Sequence, residues 1–154
     1  MAKRPQAPSK TLVTDARAAA QACACLASRL AARRITNFLE EHMQGSGLSI
    51  AQFGLTAQIA AAPDDTLGAL ADRTGLDQST LSRNLRALET MGLVEIAIAE
   101  DDQRRRAVWL TEEGARRLQA AIPVWRSAHA ELERRLDPRL ALRLAAASEE
   151  LVAK

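Results

Sequence analysis

Between residues 66 and 111 the spacing of leucines and glycines leaves the chain few ways to fold. Leu67, Leu70 and Ala71 stand at helical spacing and predict a short helix over 66–73; Gly75 breaks it, and Leu76 can tuck the turn into a core. Asp77 is placed to cap a second helix over 78–91, because its carboxylate can accept from the orphan amides of a first helical turn. Leu81, Leu85 and Leu88 recur at steps of four and three, so one face of that helix is buried. The other face carries Gln78, Ser79, Thr80, Ser82, Arg83 and Arg86. Short hydrogen-bonding groups lie in front and guanidinium groups behind. A helix seated in the major groove of DNA needs that arrangement, with donors and acceptors for base edges near its N-terminus and cations for flanking phosphates. The plainer alternative is a solvated helix face.

The residues that follow favour the first reading. Gly92 can take the left-handed conformation that ends a helix. Residues 93–99 alternate as a strand, 100–106 (EDDQRRR) form a polar loop, and 107–110 return as a second strand. A hairpin with Arg104, Arg105 and Arg106 at its tip, directly after a helix-turn-helix, is a wing.

The run TLGALADRTGLDQSTLSRNLRALETMGLVEIAIAEDDQRRRAVWLTEEG resembles the winged-helix core of the MarR family of bacterial transcriptional regulators. The matching marks are the paired helices, the M-G-L-V link into the first strand, the wing D-x-R at Asp102–Arg104, and L-T-x-x-G at Leu110–Gly114. The flanking helices fit as well, so the resemblance covers nearly the whole chain. It implies a mainly α fold: a winged helix-turn-helix with a small β-hairpin wing, and N- and C-terminal helices forming a dimerisation region. Residues 1–10 would be a mobile basic tail and 11–154 a single domain, with 11–48 and 112–154 for dimerisation and 49–111 for DNA. The implied function is a sequence-specific DNA-binding regulator, a repressor, acting as a homodimer on a pseudo-palindromic operator. A small aromatic or other effector would release it. By the same resemblance Arg104 takes the wing-tip role, Asp102 orients it by an ion pair, and narrow A·T-rich minor grooves attract the guanidinium. Arg105 and Arg106 leave open which arginine enters the groove.

Either side of this core the chain reads as helix. Residues 12–43 contain no proline or glycine and predict one rod, about thirty residues at about 1.5 Å each. Gly45-Ser46-Gly47 ends it. Ser49 to Gln52 fit a capping box, with Leu48 and Phe53 placed for a hydrophobic staple, and that helix runs to about Ala62, where Pro63 stops it. Thr111 caps the next long helix, and Glu112 and Glu113 suit its positive end. Leu118, Ile122, Trp125, His129, Leu132 and Leu136 form a heptad seam of the kind that pairs with a second helix, read here as the dimer seam; Pro123 lies off it and predicts a local kink. Asp137 and Pro138 start a last helix whose apolar face is Leu140, Leu144, Ala147 and Leu151. Terminal helices with apolar seams and no partner layer suggest an isologous dimer.

A net charge of +2 does not by itself announce nucleic acid; the clustering of arginines near the second helix and the hairpin does. No membrane-length apolar run and no signal-peptide pattern follow Met1, and two cysteines without a framework suit a reducing cytosol, so the expected place is the cytoplasm, away from membranes.

Two readings stand for Cys23 and Cys25: small apolar helix residues, or a redox sensor. On an intact helix the two would point about 200° apart and could not bond to each other. One branch of the resembling family senses peroxide through a cysteine near the start of its first helix, where Cys23 falls. His42 is seventeen residues from Cys25, so no metal is expected, and no cofactor. His129 reads as an interface residue or a pH switch. The chain has no G-x-S-x-G, no paired acid signature and no H-E-x-x-H, so an enzyme is not expected. Two other classes compete: a winged helix used only for protein contact, and the dimerisation part of a methyltransferase, which fails on length.

Overall fold

The computed structural model describes residues 9–62, 66–99 and 102–151, with 98–99 and 102–106 described by backbone. The helices are α1 (Lys10–Ala22), α2 (Ala24–His42), α3 (Ile50–Ala61), α4 (Leu67–Thr74) and α5 (Gln78–Thr90). Strands β1 (Val94–Ala99) and β2 (Asp102–Leu110) follow, then α6 (Glu112–Glu133), α7 (Arg139–Ser148) and a closing 3-10 turn, Glu149–Leu151. Residues 1–8 of the expected tail, the stop at Pro63 and the acidic pair Asp64–Asp65 lie outside the described residues. The chain divides into two compact units, Met1–Asn37 and Phe38–Lys154.

In the first unit Ser9 caps α1, its hydroxyl oxygen accepting from the Leu12 amide at 3.2 Å, so the helix claims Lys10 from the expected tail. The single rod expected over 12–43 is instead two helices. Cys23 leaves the helical region, at φ −72° and ψ 102°, and its carbonyl accepts from Ala27 N–H at 3.1 Å to start α2. Alanine-rich sequence permits helix at every position without requiring continuity, because most helical stability in proteins comes from packing. The first unit supplies little of that: α1 has no buried residue, and Leu12, Val13, Leu26 and Leu30 remain exposed.

The second unit holds the core. Its first helix after the turn is α3, opened by the expected capping box: Ser49 Oγ accepts from Gln52 N–H at 3.2 Å, and Gln52 Oε1 accepts from Ser49 N–H at 2.9 Å. Leu48 and Phe53, the staple pair, are both buried. Leu70 from α4, Leu81, Leu85 and Leu88 from α5, Val94 from β1 and Val108 from β2 close round Phe53, Leu55 and Ile59 of α3. The three leucines of α5 are each at most 2% exposed, which fixes the roll of that helix and sends its polar face outward.

Much of the apolar stripe of α6 that was expected to pair with a second subunit is covered within this chain. Leu118 is buried in this chain's own core, Ile122 and Trp125 pack against it, and Leu132 is 6% exposed without any second subunit. Trp125 stacks on Phe53, centroids 5.6 Å apart, and His129 meets Trp125 in a tilted ring contact at 4.9 Å. Heptad spacing shows that a helix has an apolar stripe, not whose helix covers it; here α3 of the same chain covers much of it. Helix α6 runs unbroken from Glu112 to Glu133 with Pro123 inside it. The α7 cap falls on Pro138, but Asp137 still accepts from Arg139 N–H at 3.0 Å. The expected apolar face of α7 is open, with Leu140 51% and Leu144 55% exposed.

Candidate nucleic-acid interface

The helix-turn-helix is built by local signals that agree. Thr66 caps α4, its hydroxyl oxygen accepting from Ala69 N–H at 3.2 Å. Gly75, at φ 64°, takes the left-handed conformation that closes the helix and turns the chain. Asp77 then caps α5 with an unusual load. Its Oδ1 accepts from Ser79 N–H at 3.0 Å, Thr80 N–H at 2.9 Å and Ser79 Oγ–H at 2.6 Å, and its Oδ2 accepts from Thr80 Oγ–H at 2.8 Å. The Ser79 hydroxyl first, then the Thr80 amide and hydroxyl, hold the carboxyl well below the usual carboxylate range, against an opposing effect of desolvation. Asp77 is therefore an anion throughout the neutral range.

Gln78, Ser79, Ser82, Arg83 and Arg86 are exposed on α5 and Thr80 is half-buried. The six residues expected to face DNA thus lie off the leucine face of α5, five of them exposed and Thr80 partly so. Arg83 Nη2 donates to Thr80 Oγ at 3.5 Å, a long contact that leaves the guanidinium largely uncommitted. Ser82 and Arg86 border a shallow cleft of about 300 Å³ with Leu67, Glu89 and Ile96.

Gly92, at φ 70°, ends α5 and feeds β1. The hairpin pairs Val94 with Leu110, Glu95 with Trp109, Ile96 with Val108 and Ala97 with Ala107. Trp109 Nε1 donates to Glu95 at 3.2 Å across the strands. An isolated bridge between Thr66 and Ala107 ties the wing to the start of α4. Within the expected polar loop over 100–106, β2 reaches back to Asp102, with Arg106 and Asp102 paired to β1; Glu100 and Asp101 lie outside the described residues. Ladder bonds are made by backbone, so a run of arginines does not forbid them. The register breaks between Ile98, opposite Arg106, and Ala99, opposite Asp102. Gln103, Arg104 and Arg105 have no partners in that ladder and bulge from the strand at the far end of the wing. The side chains of Asp102, Arg104, Arg105 and Arg106, and with them the expected ion pair, lie outside the described residues.

The base of the wing is locked to α6. Thr111 Oγ donates to Gly92 O at 2.7 Å and accepts from Gly114 N–H at 2.9 Å, and Thr111 N–H donates to Leu93 O at 3.1 Å. Sequence reasoning found the L-T-x-x-G pattern but not this contact, nor the two hydroxyl bonds to Asp77. The i+2 and i+3 spacing of Ser79 and Thr80 from an aspartate cap was the available signal.

Cys23 is half-buried, Cys25 exposed, and both thiols are free. His42 Nδ1 lies 2.8 Å from Phe38 O. Among the described residues no three His, Cys, Asp or Glu side chains gather as a metal site, and no helix is long and apolar enough to cross a membrane.

A family model described as MarR family matches residues 46–105, the span from the turn before α3 to the wing. The transcriptional regulator HosA of Escherichia coli is 39% identical over 80 residues, an alignment covering 45% of this chain and 59% of HosA. The chain therefore matches somewhat over half the length of that curated relative. The crystal structure of the M. tuberculosis transcriptional regulator MosR in complex with DNA is 33% identical, with a TM-score of 0.75 over 84% of this chain and 96% of that one. Wild-type MarR from E. coli, 22% identical with a TM-score of 0.64 over 85% and 98%, shares the fold. With the helix-turn-helix, the wing and this near full-length likeness in place, the chain belongs to the MarR family of winged-helix, DNA-binding transcriptional regulators.

Proposed function

We propose that this protein is a cytoplasmic homodimeric repressor that reads a pseudo-palindromic operator and leaves it when a small effector binds. The observation that carries the reading is the outward face of α5, where Gln78, Ser79, Thr80, Ser82, Arg83 and Arg86 stand opposite three buried leucines. Two copies of that face would enter successive major grooves, with half-sites about one helical turn apart. Asp102, Arg104, Arg105 and Arg106 would work from the wing in the adjacent minor groove. The open apolar residues of α1, α2 and α7 support a second copy as the cover. An open cleft of about 330 Å³ between α3, α4 and α5, walled by Ile50, Leu55 and Leu76, with Arg73 donating to Gln58 at its edge, offers a small effector a place to bind. A few kcal/mol of preference for a different head spacing is enough to empty an operator.

The test is a gel shift on the DNA upstream of the protein's own coding region, repeated at rising salt. Affinity should fall steeply as counterions compete, by about a thousandfold or more between 50 and 200 mM salt for six or more phosphate contacts. Arg104→Ala should weaken binding. Salt-insensitive behaviour would favour a winged helix used for protein contact.

One observation favours a second mode of release. Because Cys23 interrupts the helix, the geometric objection to a Cys23–Cys25 bond no longer holds. Peroxide would take two electrons and two protons from the thiols, giving a disulfide and two waters. Peroxide release that survives replacement of both cysteines by serine would discard this mode.

A further inference from the structure

We infer that Asp77 is a specificity-determining positioning residue: it holds the Thr80 hydroxyl as a hydrogen-bond acceptor toward DNA, so that Thr80 selects a base bearing an exocyclic amino group. This rests on the reading of α5 as the helix that enters the major groove. A free threonine hydroxyl both donates and accepts, and so tells bases apart poorly. Here its one proton is spent. Thr80 Oγ lies 2.8 Å from Asp77 Oδ2, and an ionised carboxylate only accepts, so the hydroxyl must be the donor. What Thr80 then offers outward is lone pairs. One of them meets Arg83 Nη2 at 3.5 Å, too long to be a firm claim, and the guanidinium can turn to a phosphate on binding. In the major groove the complementary groups are the amino groups of adenine (N6) and cytosine (N4); guanine O6 and thymine O4 offer only acceptors and would be refused.

The two carboxylate oxygens have separate duties, and that makes the inference testable by one atom. Oδ1 receives both backbone amides and Ser79 Oγ–H, while Oδ2 receives only Thr80 Oγ–H. In Asp77→Asn the remaining oxygen must stay on the amides, where asparagine caps a helix as well as aspartate does. The new NH₂ then replaces Oδ2 and donates to Thr80 Oγ. The hydroxyl proton is displaced outward, and Thr80 changes from acceptor to donor. Ser79, held by the retained oxygen, does not change.

The experiment selects bound sequences from a pool of random duplex DNA with the full chain. Wild type should enrich adenine or cytosine at one position of each half-site, by about three- to tenfold for a single hydrogen bond. Asp77→Asn should move that position to guanine or thymine and leave the others alone. Thr80→Val should flatten the same position. Asp77→Ser, which can cap but has no second oxygen for Thr80, should flatten it too, and decides the matter should Asp77→Asn fold poorly. Unchanged base profiles in the Asp77 variants, or a Thr80→Val profile identical to wild type, would overturn the inference while leaving DNA reading intact. A wild-type protein that enriches no sequence would instead sink the DNA-reading function, and this inference with it.

Discussion

Gly114, at the first turn of α6, packs its backbone against the carbonyl of Leu93, the residue that leads into the wing. A Cβ built on Gly114 would overlap the Leu93 oxygen and come within 2.9 Å of its carbonyl carbon. The obstacle is backbone, and the same carbonyl accepts from Thr111 N–H. It cannot swing aside as a side chain could.

Gly114→Ala should therefore destabilise the fold although alanine is the better helix former. Overpacking of this kind costs about 1–3 kcal/mol or more. At about 2–4 °C per kcal/mol for a chain of this size, thermal unfolding should show a fall of several degrees. An unchanged or raised melting temperature would mean that α6 can slide off the wing at no cost.

Much of this framework is legible in the sequence because its signals are short-range. Gly75 and Gly92 mark left-handed turns, Ser49–Gln52 a reciprocal cap, and Asp77 a cap, each within four residues of its effect. What periodicity cannot supply is the identity of the neighbour. Leu118, Ile122 and Trp125 show an apolar stripe, and only the fold reveals that it meets α3 of the same chain. Nor does composition mark the break at Cys23, where neither glycine nor proline stands. The pairing of Arg106 and Asp102 with β1 was hidden for a related reason: polar side chains suggest loop, while strand pairing is a property of the backbone. On α5 the outward polar face was evident from the leucine spacing, but the direction of the hydrogen bonds among its residues was not.

The stacking of Trp125 on Phe53 joins α6 to α3 and so holds the scaffold behind the reading helix. Phe53 is 7% exposed. Phe53→Ala should cost about 3–5 kcal/mol through lost burial and a residual cavity. Urea unfolding should show a lower midpoint with an unchanged slope. A cost below about 1 kcal/mol would show that the site collapses onto Trp125 and that the stack contributes little.

Acid should loosen the protein in a defined window. Glu113 is held below its ordinary 4.5 by hydrogen bonds from Arg117 and Arg116, and Glu131 is lowered chiefly by the hydrogen bond from Arg135, with Arg134 adding charge. A carboxylate lowered in the folded state contributes stability that is fully present above its unfolded value, and loses it as pH falls through the folded value. Stability should thus be level from neutral pH down to about 4.5 and decline below it. These pairs lie at the surface, so each contribution is small and screened by salt. Urea midpoints measured from pH 7 to pH 3 should fall less for Glu113→Gln plus Glu131→Gln than for wild type. Identical acid limbs would assign the decline to other carboxylates.

The last prediction concerns the open faces. Leu140 and Leu144 stand one turn apart on α7 and are each more than half exposed in the single chain. Burying an apolar side chain of this size is worth about 1.5–3 kcal/mol, a gain the lone subunit leaves unrealised and a second copy can collect. If α7 is part of a dimer contact, glutamates at both positions would place like charges across a symmetric interface without disturbing the subunit's own core. Sedimentation should report twice the 16.7 kDa chain mass for wild type and a single 16.7 kDa chain for Leu140→Glu plus Leu144→Glu, with helicity retained. The monomer should also lose operator affinity by about a hundredfold or more, because one reading head no longer tethers the other. A double variant that stays dimeric would move the interface off α7. A wild type that sediments as one chain would remove the paired reading heads on which the proposed operator symmetry depends.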